Sequence, residues 1–468
     1  MNLEAIGRVV SGSLSGPGSP APRGFSIDSR SLRPGDLFFA IVGPNHDGHR
    51  FAGDAITRGA AGIVASDEAV IDRLRQEGRS VIAVKDTLRA LQDLAAHVRR
   101  TRPVKVVGVT GSSGKTTTKE MTRTALEAAL SVHASRGNLN NLYGCPLSIL
   151  EIEEHHQVSV LEMGMSYHGE LKRLVEIADP DIGILTNVTG AHLAHFDSVE
   201  DVASAKAELF EGMRSDSIGI FNNDDEHCRR IMGSFKGYAV TFGIDRPSDL
   251  TATGYRPEGL EGSSFEIRHS QKSGTRRVRT RFVGIHNVYN ALAAMSAGYM
   301  LGIDLEAMAA SLAGLSPLGM RGQIVRLAQS VRILDESYNS NPAAMRYALK
   351  MLEDATAEGR KILVFGDMLE LGESGVEAHR ELGREIRAAG FDVVVGVGAL
   401  AAEALAALEE RVASPNGKHR MHRFDGSEEA SRFVAGMARP GDIFLVKGSR
   451  GIALEKVVAA LRERFGEE

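Results

Sequence analysis

Residues 108–118 read Gly-Val-Thr-Gly-Ser-Ser-Gly-Lys-Thr-Thr-Thr, set between the largely apolar run Val104 to Val107 and a helix-forming stretch. A glycine-rich turn between a strand and a helix lets backbone N–H groups approach phosphate oxygens, while the helix N-terminus directs the positive end of its dipole at them. In such a loop Gly111, Ser112, Ser113, Gly114 and Thr117 form the cradle. Lys115 reaches the terminal phosphates and Thr116 holds a magnesium ion. The strict template fails at one place, because Val109 stands where a glycine is expected and Gly108 comes one residue early. The core Thr110-Gly111-x-x-Gly114-Lys115-Thr116 remains, and it predicts ATP binding. A glycine-rich turn capping an ordinary strand–helix unit is the competing explanation.

Working outward, the chain of 468 residues is too long for one ordinary core and predicts about three domains. Hydrophobic content of 43% with 25% charged residues disfavours disordered, coiled-coil and collagen-like classes. The net charge of -5 gives no electrostatic reason to expect nucleic acid or an anionic membrane. Cys145 and Cys228 cannot make a disulfide framework or a cysteine-based zinc site; both read as small buried hydrophobes in a reducing compartment. Without an apolar run long enough to span a membrane, or a signal-type start, a cytoplasmic location is expected.

The chain reads as α/β in three parts. Residues 1–102 form a small α/β domain, with strands within Gly35 to Ile41 and Ala61 to Ala65 and a helix from Phe51 to Gly59 between them. Arg99-Arg100-Thr101-Arg102-Pro103 reads as a linker. Residues 103–314 form a central mononucleotide-binding domain around the phosphate loop, with strands Val104 to Thr110, Val158 to Met163, Asp181 to Val188 and Ser217 to Asn222 in a mostly parallel sheet. From Tyr238 to Val283 short alternating strands predict an antiparallel appendage. Residues 315–468 form a Rossmann-like α/β domain with strands Val331 to Asp335, Lys361 to Phe365, Asp392 to Val397 and Asp442 to Val446.

In an open parallel sheet, ligand-contacting residues lie past the C-terminal ends of the strands. Glu162 and His192 sit at two such ends, where a carboxylate and an imidazole could converge on a divalent cation beside the phosphates; a loop histidine with its own partners fits His192 equally well. Lys206, in the helix that follows, reads equally as a surface lysine. Phe221 to Asp225 ends a strand with side chains suited to a base or ribose, or to a turn. Asn138, Asn140 and Asn141 crowd a glycine- and proline-containing loop that suits a ligand rich in amides and hydroxyls, or again a turn. The third domain adds polar strand ends at Asp335 to Pro342, Gly366 to Gly372 and Lys447 to Gly451.

Together these segments resemble the Mur ligase family over essentially the whole chain, and the displaced glycine of the phosphate loop is part of that likeness. Gly137 to Leu147, Ser337 to Pro342, Gly366 to Gly372 and Lys447 to Arg450 resemble the members that add D-alanyl-D-alanine to UDP-N-acetylmuramoyl-tripeptide. The resemblance implies ATP-dependent amide synthesis through an acyl phosphate, with two magnesium ions. It implies that Lys115, Glu162, His192 and Lys206 are catalytic, that Thr116, Glu162 and His192 ligate metal, and that Lys206 contacts the second magnesium as a carbamate. It places Asn290, Arg321 and Asp335 on the nucleotide. Ser29, Arg30, Asp47, Gly48 and His49 fall on the uridine end, and Asn138, Asn140 and Asn141 on the muramoyl-peptide. Tyr338, Asn339, Asn341 and Ser449 fall on the dipeptide. A monomer is expected, with a hinge near Ala313 to Gly319 carrying Gly314, Pro317 and Gly319. The sequence departs from the family at Asp335-Glu336, where paired aspartates are usual, and at Met165-Ser166, where Ala-Asn is usual. The rival readings are the ligase that adds the third stem residue, whose Asp-Asn-Pro-Arg segment this chain lacks, and a phosphate-loop ATPase acting as a conformational switch.

Overall fold

The computed structural model describes residues 1–18, 21–190, 194–271, 273–353, 358–409 and 420–467. Three sheets divide the chain. The first runs in the order Ser13–Ser15, Val81–Ala83, Gly62–Ala65, Asp36–Phe39, Gly24–Ser26, with the first strand antiparallel and the rest parallel. The helix Thr87–Thr101 closes this part and belongs to two cores at once: Leu91 and Leu94 pack with Leu3, Ile6 and Leu37, while Ala95, Ala96 and Val98 pack with Val104 and Leu174. The expected linker is therefore a pinned joint. Buried Arg99 donates to the carbonyls of Ala178 and Asp179, each at 2.8 Å, and to Asp181 at 2.9 Å, which fixes the angle at which the chain enters the middle domain.

The middle sheet has nine strands. Seven are parallel, in the order Leu250–Pro257, Tyr238–Gly243, Ile218–Asn222, Ile182–Leu185, Lys105–Thr110, Val158–Glu162, Val132–Ala134. The apolar runs among them follow from burial on both faces. Val107, Val109 and Val160 point to the helices Lys115–Leu126 and Ile285–Met300, while Val106, Leu161 and Met163 point to Glu170–Ala178 on the other side. Each fully buried valine or leucine contributes about 2 kcal/mol of transfer free energy. Lys105–Thr110 has later strands on both sides, Val158–Glu162 on one and Ile182–Leu185 on the other, so the phosphate loop opens at the switch point of the sheet.

The appendage differs from expectation. Tyr238–Gly243 pairs in parallel with Ile218–Asn222 and belongs to the central sheet. Antiparallel pairing begins only between Leu250–Pro257, Ser263–His269 and Arg276–Thr280, which extend the same sheet. The third sheet runs Gln323–Leu327, Val331–Glu336, Ile443–Lys447, Lys361–Gly366, Val393–Val397, Arg420–Phe424, parallel except for the first strand. It is seated on the middle domain through Leu260 and Val283, which share a core with Leu334, Met345 and Leu349. Cys145 and Cys228 are buried free thiols, and burial pushes Cys145 up to about 12. Among the described residues no helix is long and apolar enough to cross a membrane.

Candidate active site

The phosphate loop depends on two left-handed glycines. Gly111 has φ 150°, and a Cβ there would stand 1.9 Å from Thr186 Oγ1; Gly114 has φ 80°, and a Cβ there would meet Asn290 Oδ1 at 2.5 Å. Neighbouring segments then lace the loop. Ser112 N–H donates to Asn187 O at 2.9 Å, Ser113 N–H donates to Asn187 Oδ1 at 3.0 Å, and Thr186 Oγ1 donates to Ser113 O at 2.7 Å. Among the described residues no side chain caps the helix that starts at Lys115, so its first N–H groups face the cleft as an anion site. Lys115 Nζ rests on the carbonyls of Gly111 at 2.8 Å and Ser112 at 3.3 Å. Enclosure lowers its pKa, and the carboxylates of Glu162 and Glu370 oppose that shift.

At the end of the neighbouring strand, buried Glu162 accepts from Thr116 Oγ1 through Oε2 and from Asn140 Nδ2 through Oε1, both at 2.7 Å. A hydroxyl and a carboxylate side by side at a phosphate loop are the oxygen donors a hard divalent cation takes. Lys206 is 2% exposed, and burial, together with the charge of Lys115, pushes its ammonium well below the usual lysine range. It is no surface lysine. His192 lies outside the described residues.

A cleft of about 710 Å³ gathers these groups. Its walls include Ser112 to Thr117, Asn138, Asn140, Asn141, Glu162, Asn290, Arg321, Tyr338, Asn339 and Asn341. Asn290 also accepts from Thr118 Oγ1 at 3.1 Å, which makes it a prop for the loop as well as a wall. The third domain reaches the loop directly, since Asn341 Nδ2 donates to Ser113 Oγ at 3.1 Å. Arg321 stacks its guanidinium 3.7 Å over the Tyr338 ring.

Other expected residues lie elsewhere. Asp335 is 3% exposed and turned away from the cleft, accepting from Ser337 N–H and Oγ, and burial raises its carboxyl above the usual range. Its neighbour Glu336 faces the cleft instead and accepts from Lys447 Nζ at 3.0 Å. Ser449 is buried behind the wall, where its hydroxyl accepts from Leu369 N–H at 2.9 Å. In the first domain, His49 Nδ1 lies 2.7 Å from Asp47 Oδ1, and its Nε2 accepts from Ser66 N–H at 2.9 Å and Asp67 N–H at 3.2 Å. Gly48 is buried beside His49 in the same turn, and Ser29 is buried too. Arg30 is exposed and paired with Asp28 at 2.7 Å, which holds that carboxyl below its usual range. None of these five first-domain residues lines the cleft. Phe221 to Asp225 proves to be partly a turn: Asp224 accepts from the N–H groups of Ile244, Asp245 and Arg246, and Asp225 caps the next helix. Sequence reasoning missed Glu336, Lys447, His286 and Glu170 as cleft residues; the first two stand inside stretches already marked as polar.

Comparison with known proteins places this geometry. Residues 23–99 match the model of the Mur ligase family catalytic domain, 109–298 the Mur ligase middle domain, and 320–450 the Mur ligase glutamate ligase domain. The chain is 34% identical to the UDP-N-acetylmuramoyl-tripeptide--D-alanyl-D-alanine ligase of Bacillus subtilis, over 98% of both chains. It is 35% identical to the ligase of that name from Escherichia coli, over 94% of this chain and 93% of the other. Among solved structures, MurF from Acinetobacter baumannii superposes with a TM-score of 0.86 at 29% identity, over 98% of each chain. MurF from Thermotoga maritima in complex with ADP gives 0.79 at 29%, over 94% of this chain and 97% of that one.

Proposed function

The chain belongs to the Mur ligase family, and from that premise we propose that it joins D-alanyl-D-alanine to UDP-N-acetylmuramoyl-tripeptide in an ATP-driven amide synthesis. The observation that carries the reading is the contact of Asn341 with Ser113, because it makes the phosphate loop, the asparagine loop and the third domain walls of one enclosure. A ligase needs its nucleotide, carboxylate and amine in such a space, and the volume is that of an ordinary ligand site.

Amide formation from a carboxylate is uphill in water, so ATP first converts the tripeptide's terminal carboxylate oxygen into a phosphate. The helix N–H groups and Lys115 neutralise charge spreading over the transferring phosphoryl group. The uncharged amine of the dipeptide then attacks the acyl carbon, and phosphate leaves from the tetrahedral adduct. The third domain, closing about the segment 313–319, keeps water from the acyl phosphate.

In this scheme residues 1–102 hold the uridine end, 103–314 the ATP and 315–468 the dipeptide. Arg30 is the first-domain side chain exposed for the uridine diphosphate, while Asp47 and His49 shape the turn beneath. Asn138, Asn140 and Asn141 take the muramoyl-peptide; Tyr338, Asn339 and Asn341 take the dipeptide, backed by Ser449. Asn290, Arg321 and Glu336 face the nucleotide, with Asp335 bracing the turn. Thr116 and Glu162 fit a magnesium ion, which when bound supplies charge neutralisation at the phosphates, and His192 completes that set. Burial lowers the Lys206 ammonium well below the usual lysine range, which favours the neutral amine, the form that adds carbon dioxide to give a carbamate for a second magnesium. A cytoplasmic monomer completes the proposal.

The test is phosphate release by the purified protein with ATP and magnesium, given UDP-N-acetylmuramoyl-tripeptide alone, D-alanyl-D-alanine alone, or both. Turnover only with both, and a pentapeptide mass in the product, is the expected result. Hydrolysis independent of the amine would replace the ligase with a switch ATPase.

A further inference from the structure

Lys119 lies one helical turn beyond Lys115 on the helix that carries the phosphate loop, and it is 0% exposed. An ammonium removed from water costs several kcal/mol unless acceptors surround it. Here Nζ donates to Ser135 O at 2.6 Å, stands 3.5 Å from Gly137 O and pairs with Glu120 Oε1 at 2.8 Å. Glu120 is held in turn by Arg123 at 3.0 Å. Two of the three acceptors are thus backbone carbonyls of the segment that leads into the asparagine loop.

The other side of that segment is tied to the catalytic strand end. Ser135 N–H donates to Val160 O and Ser135 Oγ accepts from Glu162 N–H, both at 3.0 Å. Farther along, Asn140 O accepts from Gly164 N–H at 2.8 Å, and Asn140 Nδ2 reaches Glu162 Oε1. The loop is therefore clamped between Glu162 in front and a buried cation behind, and the cation belongs to the nucleotide-binding helix. Without the ammonium, the buried Ser135 carbonyl would lose its donor and Gly137 O its weaker 3.5 Å contact, and an unsatisfied buried acceptor drives a loop toward water.

We propose that Lys119 is a positioning residue for the muramoyl-peptide: it sets the height and angle of Asn138, Asn140 and Asn141 over the cleft, using the phosphate-loop helix as its base. The proposal rests on the functional reading above, in which those asparagines face the muramoyl-peptide. It touches no substrate, and its effect passes through the loop.

The experiment is steady-state kinetics of K119M, which keeps the length of the side chain and removes its charge and donors. The expected result is a KM for UDP-N-acetylmuramoyl-tripeptide raised about tenfold or more, with the KM for ATP and kcat within about threefold of the parent. A parallel rise in both KM values, or a loss of kcat alone, would overturn the positioning role, since a general structural weakening predicts those outcomes. A second readout is the pair of N140A and K119M/N140A. If Lys119 works through the loop, the tripeptide KM of the double variant exceeds that of the worse single variant by less than about twofold; additive effects overturn the proposal. Should K119M fail to fold, K119Q, which retains a donor, carries the same split. The parent enzyme separates the two levels, because absence of tripeptide-dependent turnover in it removes the functional reading itself.

Discussion

The phosphate loop and the third-domain segment 337–341 face each other across one cleft, and they are held in opposite ways. Hydrogen bonds with Thr186, Asn187 and Thr189 lace the loop, and Asn290 fills the space beside Gly114. The opposing segment reaches that loop by one amide-to-hydroxyl bond, Asn341 to Ser113. The seat of the third domain lies elsewhere, in the apolar contact of Leu260 and Val283 with Leu334 and Met345. One wall is thus a preformed receptor whose geometry is set before any ligand arrives. The other is a panel seated by contacts away from the loop, so that its departure would leave the receptor's own hydrogen bonds intact.

The most severe way to break this contrast is Lys115→Met, which removes the cation of the rigid wall. Turnover should fall about a thousandfold while the folded state persists, read by phosphate release beside a melting curve. Gly111→Ala attacks the lacing instead. Its Cβ would stand 1.9 Å from Thr186 Oγ1 at a φ of 150°, so loop and strand end must separate. A loss of about 3 kcal/mol in stability, by denaturant unfolding, together with loss of ATP binding, is expected.

The rigid wall also has an acid limit. His133, on the strand that leads into the asparagine loop, is lowered by burial to about 4 from 6.5. A histidine whose folded pKa is depressed stabilises the fold above 6.5, and that contribution is lost as pH falls from 6.5 toward 4. That contribution is about 3 kcal/mol at most. His133→Phe should therefore melt with a flatter dependence between pH 7 and pH 4 than the parent; equal slopes would contradict the assignment. The gentlest probe is Asn341→Ala, which frees the panel. Its loss should raise the KM for D-alanyl-D-alanine about fivefold and leave ATP affinity unchanged, as befits the bond to Ser113 of about 1 kcal/mol, while the loss of its cap on Ala344 N–H shows as a small drop in stability.

Legibility in the sequence followed burial. The strands Lys105–Thr110, Val158–Glu162 and Lys361–Gly366 are apolar runs covered on both faces, and the sequence marks them to within a residue or two. Ser13–Ser15, Gln323–Leu327 and Arg420–Phe424 lie at sheet edges with mixed exposure, so no period announces them. Tyr238–Gly243 begins exposed and ends buried, and that half-covered state mimics the alternation of an antiparallel strand. At the site, glycine and lysine spacing sufficed for the phosphate loop because its chemistry is local. Asp335 and Glu336 differ only in strand parity, which depends on what covers each face of the sheet, and neighbouring letters do not carry that. Asp47 and His49 satisfy each other, which a motif cannot reveal.

The bond between Asn341 and Ser113 has a temporal meaning as well. Ser113 stands between the two glycines of the nucleotide loop, so the amide that touches it ties the third domain to the segment proposed to hold the nucleotide. In the proposed reaction, one swing of the third domain admits the acceptor, seals the chamber and afterwards releases the amide product, ADP and phosphate. On that proposal the protein completes at most one amide bond per swing, and the hinge acts as its clock.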